Sequence, residues 1–356
     1  MIVRDAAAIV LNFNGGAATL ECVASLLDEV ESIVVVDNGS TDGSAEAIER
    51  RFGERVRVEK LGSNRGISIA RNIGVKAADA QYLLFVDADA TVSPGTTAAL
   101  RAAFDDDARI AVAGPVILDA HRDEIVQTTG GTIDRWGFPI DATNGLRARD
   151  LSSEGVRDAF YVSACTMMIA ARTFARLRGF DEGMFFACED VDICWRSWLA
   201  GYRVVSVRNA FVRHMGGSSL AFTVRGSLYT PALRDGGYQT SWSRIVAREA
   251  NAFRMMVANL SAANLALYLC AWLPVVVAET IAFFAIGRWR IAAAYLAALA
   301  RIARALPSTL RHRRAVQATR ARSDRAITRM WSRGYEKFAF LRRNGVPEAL
   351  MPRTRP

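Results

Sequence analysis

The chain has 356 residues, of which 51% are hydrophobic and 23% charged, and its formal net charge at pH 7 is +9. This composition excludes disorder as the default state, and the length suffices for one large domain with an appendage or for two modest domains. The charge is unevenly placed: residues 287–356 hold 17 Lys and Arg against 3 Asp and Glu, which leaves −5 for the residues before them. A mildly acidic body with a basic tail indicates that the tail meets an anionic surface.

The cysteine pattern and the N-terminal sequence indicate in which cellular compartment the protein resides. The five cysteines form no Cys-x-x-Cys pair and show no zinc-site spacing. An odd number of cysteines in a chain of this length fits a reducing compartment. The start of the chain, Met1-Ile2-Val3-Arg4-Asp5, lacks the basic and apolar segments of a secretory leader. We therefore expect a cytosolic body.

Strand-like apolar runs alternate with helical patterns through the first 207 residues. The predicted strands are Ala6–Phe13, Ser32–Val36, Val56–Leu61, Gln81–Val86, Ile110–Ile117, Phe160–Ile169 and Tyr202–Val207. The predicted helices are 17–27, 44–51, 67–77, 94–104, 171–177 and 189–199. Between residues 120 and 156 the periodicity fades, which indicates loops or a short hairpin. The alternation predicts an α/β fold with a mostly parallel, doubly wound sheet flanked by helices, whose ligands bind beyond the carboxyl ends of the strands.

Two carboxylates, Asp87 and Asp89, end the predicted fourth strand. Because an unpaired buried carboxylate is costly, such a pair needs cations or hydrogen-bond donors close by. Hard oxygen ligands suit Mg²⁺ or Mn²⁺ and, through the metal, a phosphate-bearing ligand. The alternative is an exposed turn that only ends a strand.

The loop after the first strand separates this chain from dinucleotide-binding dehydrogenases. It reads Asn12-Phe13-Asn14-Gly15-Gly16, which does not match G-x-G-x-x-G, and the phosphate-binding G-x-x-x-x-G-K-[ST] is also absent. What remains is a nucleotide site built from side chains and a metal. Asp37, with Asn38 and Ser40, can hydrogen-bond a base or ribose, although this stretch is equally good turn and helix-capping chemistry.

Further polar residues follow along the chain. Asn64, Arg65 and Arg71 can reach a diphosphate. Asp190 opens a predicted helix, where a carboxylate held over a sugar donor can take a proton from an acceptor hydroxyl. For Asp192 and Arg196 on the same helix we expect a salt bridge. His214 follows the last predicted strand and can supply a nitrogen ligand to the metal or contact a phosphate.

These motifs occur in an order that resembles a known family. They are Val10-Leu11-Asn12-Phe13-Asn14-Gly15, Val36-Asp37-Asn38-Gly39-Ser40-Thr41-Asp42-Gly43-Ser44, Asn64-Arg65-Gly66, Arg71-Asn72-Ile73-Gly74, Phe85-Val86-Asp87-Ala88-Asp89, Gly179-Phe180-Asp181-Glu182 and Glu189-Asp190-Val191-Asp192-Ile193-Cys194-Trp195-Arg196. Together they resemble the inverting glycosyltransferase family 2, with its GT-A fold, and especially its bacterial rhamnosyltransferase-like branch. The likeness runs from about Ala6 to Ser219.

The resemblance implies a role for each residue. Asp89 is the direct ligand of Mg²⁺ or Mn²⁺, Asp87 binds the metal nearer the ribose, and His214 completes the metal shell. Asp37 contacts the nucleobase, in a pocket lined by Asn12. Asp190 matches the position of the catalytic base. The remaining nucleotide-sugar contacts are assigned to Asn38, Asn64, Arg65 and Arg71, and the acceptor side to Glu189 and Trp195.

The C-terminal part is predicted to associate with a membrane. Residues 255–286 are apolar enough for a span, which needs roughly 20 residues, but Pro274 and Glu279 interrupt them. Residues 291–306 read as an in-plane amphipathic helix. A soluble bundle, a monotopic anchor and a true span compete. The basic residues that flank the apolar helices attract anionic lipid headgroups, and each Lys or Arg near the surface contributes about 1 kcal/mol to membrane binding. Among the three arrangements we therefore expect a shallow monotopic anchor. Nucleic acid is not expected as a partner, because apolar stretches accompany the arginines instead of aromatic stacking platforms.

The sequence thus predicts a catalytic domain at 1–225, a connecting segment at 226–254, membrane-associating helices at 255–335 and a basic tail at 336–356. The expected activity is inverting, metal-assisted transfer of a sugar from dTDP-rhamnose or a UDP- or GDP-sugar to a polyprenyl-linked or other cell-envelope glycan. The expected place is the cytoplasmic membrane face, with peripheral, monotopic or single-span attachment. The alternative is a non-catalytic, membrane-bound nucleotide- or glycan-binding scaffold with a degenerate site.

Overall fold

The structure is a computed structural model, and it describes residues 2–141, 143–151, 155–216, 226–227, 230–231 and 239–350. Three parts of the sequence predictions lie outside these residues: the end of the family likeness at Gly217–Ser219, residues 228–229 and 232–238 of the connecting segment, and the last six residues of the basic tail.

Ten strands form one curved sheet, in the order β10-β12-β6-β11-β4-β1-β2-β3, with β5 paired to β12 and β7 paired to β6. These strands are β1 Val3–Asn12, β2 Val30–Asp37, β3 Arg57–Lys60, β4 Tyr82–Asp87, β5 Ala90–Val92, β6 Ile110–Asp119, β7 Arg122–Thr128, β10 Val156–Asp158, β11 Thr166–Ala170 and β12 Arg203–His214. Short pairs outside the sheet are β8 Thr132–Ile133 with β9 Pro139–Ile140, β13 Gly226–Ser227 with β14 Thr230–Pro231, and β15 Gln239–Ser241 with β16 Glu348–Leu350.

The predicted α/β class is confirmed, with antiparallel additions. Parallel pairing joins β1 to β2 and β4, β2 to β3, and β6 to β12. Strand β11 runs antiparallel between β4 and β6, and β5, β7 and β10 are also antiparallel to their partners. Alternate side chains of β1, such as Ile9 and Val10, belong to separate core clusters, so the sheet is buried on both faces.

Helices cover the two faces. They are α1 Gly16–Leu26, α2 Ser44–Phe52, α3 Ile67–Ala77, α4 Thr96–Asp106, α5 Ala171–Arg176, α6 Glu189–Leu199, α7 Trp242–Asn259, α8 Ala262–Ala285, α9 Trp289–Ala318, α10 Asp324–Thr328 and α11 Glu336–Asn344. Buried residues of α1, α2 and α4 belong to the core cluster on one face, and buried residues of α3, α6 and α7 to the cluster on the other.

The C-terminal helices are not a detached appendage. The predicted boundary after residue 254 is wrong, because it falls inside α7, whose Phe253 lies in the main core with Val316 and Ile327. Arg254 forms an ion pair with Asp181, with Nε 2.5 Å from Oδ2. The predicted tail likewise contains a helix, α11, and strand β16. These segments pack against the predicted catalytic domain, where their apolar side chains are buried.

Helix α8 differs from its neighbours. It runs through Pro274 without a break, and only 11% of its most apolar 18-residue stretch is buried, against 28% for α9. Within the described chain, α8 and α9 are long and apolar enough to cross a membrane, by length and composition alone. Glu279 on α8 forms an ion pair with Lys337, whose Nζ lies 3.0 Å from the carboxylate. The inward face of α8 is therefore polar where it meets α11. Tyr268, Val276 and Phe283 are buried, whereas most other apolar side chains of the helix are exposed.

Candidate active site

Three potential metal ligands converge at the carboxyl end of β4. Asp87 is its last residue, Asp89 lies in the following turn, and His214 ends β12, where it pairs with Ala90 of β5. One ligand atom each from Asp87, Asp89 and His214 lie within 4.8 Å of one another. His214 Nε2 lies 3.2 Å from Asp89 Oδ1. The sheet itself therefore brings together residues that are more than 120 positions apart.

This donor set fits a divalent cation that prefers oxygen and imidazole ligands. Gln127 on β7 accepts a hydrogen bond from His214 Nδ1–H at Oε1, 2.8 Å away, and its amide Nε2 donates to the His214 carbonyl at 2.7 Å. Both contacts fix the ring so that Nε2 faces the carboxylates, as outer partners of metal-bound histidines do. Gln127 was not predicted, because it lies in the stretch where the sequence has no clear periodicity.

Arg71 forms the centre of the site. Its side chain is 2% exposed; Nη1 donates to Glu189 at 2.8 Å, and Nη2 donates to Asp87 at 2.6 Å and to the Ala164 carbonyl at 3.0 Å. The prediction that Arg71 contacts a diphosphate is therefore wrong, because its guanidinium is inside the protein and committed to these groups. Arg71 instead joins a metal-facing carboxylate to the first turn of α6.

Asp190 lies in that first turn and is half-buried. Its Oδ2 accepts a hydrogen bond from the Ala164 amide at 3.3 Å, and its Oδ1 accepts one from Val191 at 2.8 Å. The backbone of Ala164 thus links the two side chains: its carbonyl accepts from Arg71, and its N–H donates to Asp190. Burial raises the pKa of Asp190.

The backbone before α6 is strained. Ala187 and Cys188 both have φ of +71°, which side-chain-bearing residues rarely adopt. Asn251 on α7 holds this turn by donating from Nδ2 to the carbonyls of Phe186 and Ala187, at 2.7 and 2.9 Å. Strain of this kind persists where the surroundings enforce it, and it is frequent at functional sites. Here it sets the direction in which α6 presents Asp190.

The two residues assigned to the acceptor side, Glu189 and Trp195, are both buried. Trp195 is 1% exposed, and its ring packs edge-on against Trp331 and Phe160 in the core. Glu189 is buried and faces Arg71; burial and the charge of Asp190 raise its pKa, although Arg71 opposes the shift. The expectation for Trp195 is wrong because almost every face of α6 is covered, which leaves no periodicity to tell the outward side. The Asp192–Arg196 salt bridge is confirmed, at 2.7 Å.

The residues predicted for the nucleotide meet at the carboxyl ends of β1 and β2. Asn12 is fully buried, and its Nδ2 donates to Asp37 at 2.9 Å and to Ser44 at 2.8 Å. It thereby braces Asp37 from inside the protein. Asn38 is also buried: its Oδ1 accepts from the Arg65 amide at 2.8 Å, and its Nδ2 donates to Asn64 at 3.1 Å. Both Asn64 and Arg65 are exposed.

A curved, mostly parallel sheet with a metal-type carboxylate pair after its fourth strand defines the GT-A class of folds. Residues 7–168 match the model of Glycosyl transferase family 2. Over these residues the chain is similar to this family, and within the family to the rhamnosyltransferase-like branch.

Two relatives and one solved structure give the extent of the similarity. N-acetylglucosaminyl-diphospho-decaprenol L-rhamnosyltransferase of Mycobacterium tuberculosis is 28% identical over 203 residues, 51% of this chain and 66% of that protein. Rhamnosyltransferase WbbL of Escherichia coli K12 is 33% identical over 70 residues, 19% of this chain and 26% of the relative. The structure of GalNAc-T7 with UDP, GalNAc and Mn²⁺ aligns with a TM-score of 0.52 and 20% identity, over 59% of this chain and 43% of that one. It supports the fold alone.

Proposed function

We propose that this protein is a metal-dependent inverting glycosyltransferase that moves a sugar from a nucleotide donor to a lipid-linked acceptor. The observation that carries the proposal is the convergence of Asp87, Asp89 and His214 within 4.8 Å, joined to Asp190 through Arg71 and the Ala164 peptide. Metal-type ligands and a base candidate with a raised pKa thus belong to one connected site. The similarity to Glycosyl transferase family 2 points to the same chemistry.

Each group has a definite task in this proposal. Mg²⁺ or Mn²⁺ held by Asp87, Asp89 and His214 would supply positive charge for the diphosphate of the donor. Asp190 takes the proton of the acceptor hydroxyl as the hydroxyl oxygen bonds to the anomeric carbon. The bond from that carbon to the diphosphate oxygen breaks, and its electron pair leaves with the nucleoside diphosphate. One displacement inverts the configuration, so no second carboxylate is needed as a nucleophile.

Donor binding is proposed along the carboxyl ends of β1 and β2. Asp37 would contact the base, with Asn38 holding the loop that carries Asn64 and Arg65. This arrangement supports the proposal because both carboxylate oxygens of Asp37 are oriented, by Asn12 and by the Ser40 amide at 3.2 Å. Arg65 offers an exposed cation at the same edge. The donor is proposed to be dTDP-rhamnose or a UDP- or GDP-sugar.

The acceptor is proposed to be a polyprenyl-linked glycan at the cytoplasmic membrane face. The mycobacterial relative is named for a diphospho-decaprenol substrate. The exposed apolar surface of α8 supports membrane attachment, since contiguous apolar surface of this size marks membrane or protein contacts. The continuous α8 lies against α9 and α11, which favours a monotopic anchor over an isolated span.

The test separates an enzyme from a binding scaffold. The full-length protein is incubated with dTDP-rhamnose, UDP-sugars or GDP-sugars and Mn²⁺, and release of the nucleoside diphosphate is followed with and without EDTA. We expect turnover that EDTA abolishes and that Asp190→Asn lowers about 10²–10⁴-fold, with donor binding retained. Exposed Asp79→Asn serves as the matched control. Donor binding without turnover by the wild type, or an unaffected Asp190→Asn variant, would favour the scaffold.

A further inference from the structure

Two arginines on α7 stand one helical turn apart without an acidic partner. Arg244 and Arg248 are half-buried, and within the described chain neither guanidinium forms an ion pair or a side-chain hydrogen bond. Their contacts are with aromatic rings: Arg244 lies 5.6 Å from the centroid of Phe186, and Arg248 lies 5.4 Å from that of Phe138. Burial and the charge of Arg248 lower the pKa of Arg244. Two adjacent cations held this way are an anion site by their chemistry.

These arginines flank the loop that leads into the proposed base. Phe186, under Arg244, belongs to the strained turn that Asn251 of α7 holds in place. The thiol of Cys188, two residues before Asp190, is close enough to both Asp190 and Arg248 for their charges to act on its pKa, which burial raises. The arginine pair and Asp190 are therefore on the same side of the molecule, and the three loop residues 186–188 lead from the ring under Arg244 to the start of α6.

A small cavity of about 60 Å³ opens beside Arg248 between α7, α8, α9 and α11. Its apolar lining includes Phe138, Ile245, Phe283, Ile291 and Leu341. Glu249, the carboxylate in its wall, shares Lys337 with Glu279, each 3.0 Å from Nζ. The cavity thus offers a largely apolar interior, with Arg248 in its lining and Arg244 one helical turn away.

We propose that Arg244 and Arg248 bind the diphosphate of a lipid-linked acceptor, and that the cavity takes the first isoprene unit of its chain. The inference rests on the proposed function, because it names the acceptor of the same reaction. An anionic head joined directly to an apolar chain matches cations that adjoin an apolar cavity. The exposed apolar face of α8, on the outside of the same helix that supplies Phe283, would receive the rest of the chain in the membrane.

Farnesyl diphosphate is the probe, and its binding to the full-length protein in detergent is measured by calorimetry. Farnesol, inorganic pyrophosphate and phosphatidylglycerol vesicles separate the contributions of chain, diphosphate and phospholipid headgroup. We expect Arg244→Ala and Arg248→Ala each to weaken farnesyl diphosphate binding at least tenfold, and farnesol to bind far more weakly than the diphosphate. The matched control is Arg172→Ala/Arg176→Ala, an exposed pair with the same spacing on α5.

Nucleotide binding in the presence of Mn²⁺ distinguishes this inference from the proposed function. The arginine variants should keep the wild-type affinity for nucleoside diphosphates, while the KM for a lipid-linked acceptor rises and that for the donor does not. Equal loss of nucleotide and farnesyl diphosphate binding would assign the arginines to the donor and overturn the inference, as would unchanged probe binding or preference for vesicles. Absence of sugar transfer with intact, arginine-dependent probe binding would instead refute the proposed function alone. Should an alanine variant not fold, Arg248→Lys and cross-linking of a benzophenone-bearing prenyl diphosphate to wild-type α7 decide the question.

Discussion

Replacing Arg71 by methionine should cost about 3–5 kcal/mol of unfolding free energy. The side chain is 2% exposed, and its partner Glu189 is only 6% exposed, so the substitution leaves a buried carboxylate without its cation. Asp87 loses the same guanidinium but is 32% exposed, so water compensates it in part. The Ala164 carbonyl also loses a donor. Glu189 therefore dominates the loss.

Removing the Glu189 charge that Arg71→Met leaves unpaired should restore much of the lost unfolding free energy. Glu189→Gln alone keeps a side chain that accepts from Arg71 and should cost about 1 kcal/mol. The double variant should be about 2 kcal/mol more stable than Arg71→Met, which is a coupling of the size expected for residues in contact. Urea unfolding followed by tryptophan fluorescence measures all three variants. Arg101→Met is the matched control, because the ion pairs of Arg101 with Asp5 and Asp105 are partly exposed and should contribute about 0–1 kcal/mol.

The loss should also depend on pH. Since burial and Asp190 raise the pKa of Glu189 in the folded state, the folded protein binds more protons than the unfolded chain above about pH 4.3. Stability from this group therefore falls as pH rises through the folded pKa, and more so without Arg71. We expect the deficit of Arg71→Met to be smaller at pH 5.5 than at pH 8. A deficit under 1 kcal/mol at pH 8, or strict additivity with Glu189→Gln, would refute the reasoning.

Three further outcomes follow from the site and the C-terminal helices. Gln127→Leu should weaken Mn²⁺ binding about 10–100-fold in a titration, since the metal-facing histidine loses the partner that orients it; unchanged affinity would contradict this. The acid limb of kcat/KM should lie above the pKa of about 3.9 of an ordinary aspartate, because burial raises the pKa of Asp190 and the base acts only when deprotonated; a limb below pH 4 would exclude Asp190. Leu273→Gln/Phe284→Gln on α8 should lower co-sedimentation with anionic vesicles at least tenfold, since each exposed apolar side chain gains about 1.5–3 kcal/mol on burial. Leu146→Gln, on the body, should leave sedimentation unchanged.

The sequence predicts the fold class well because the first half alternates between two clear periodicities. It does not predict strand direction: the five residues of β11 are all buried, as those of a central parallel strand would be, yet β11 runs antiparallel between β4 and β6. Nor does it predict the packing of α7 and α9, since an amphipathic stripe that faces a protein resembles one that faces lipid. The arginines of α9 suggested an in-plane membrane helix, while its buried face meets α7.

The site is predictable where its chemistry is local. Asp87 and Asp89 are adjacent to a buried strand, so their pattern is readable in the sequence. The contacts that organise them are not, because Arg71 and Glu189 are separated by 118 residues, and Gln127 and His214 by 87. An arginine on an amphipathic helix is usually exposed, which is why Arg71 was expected to face a phosphate. Only the packing of α3 under the loop before α6 reveals that it points inward.

Arg71→Lys tests whether this inward position matters for catalysis as well as for stability. Lysine keeps the positive charge near Glu189, but its single ammonium cannot reproduce the planar fork that reaches Glu189, Asp87 and Ala164 together. Asp87 or the Ala164 peptide, and with that peptide Asp190, must then shift. Because a displacement of about 1 Å costs on the order of 10²-fold in rate, kcat/KM should fall about 10²-fold, while the urea midpoint falls less than for Arg71→Met. Equal proportional losses of stability and turnover in both variants would mean that Arg71 only supports the fold, and that the spacing between the metal ligands and Asp190 is set elsewhere.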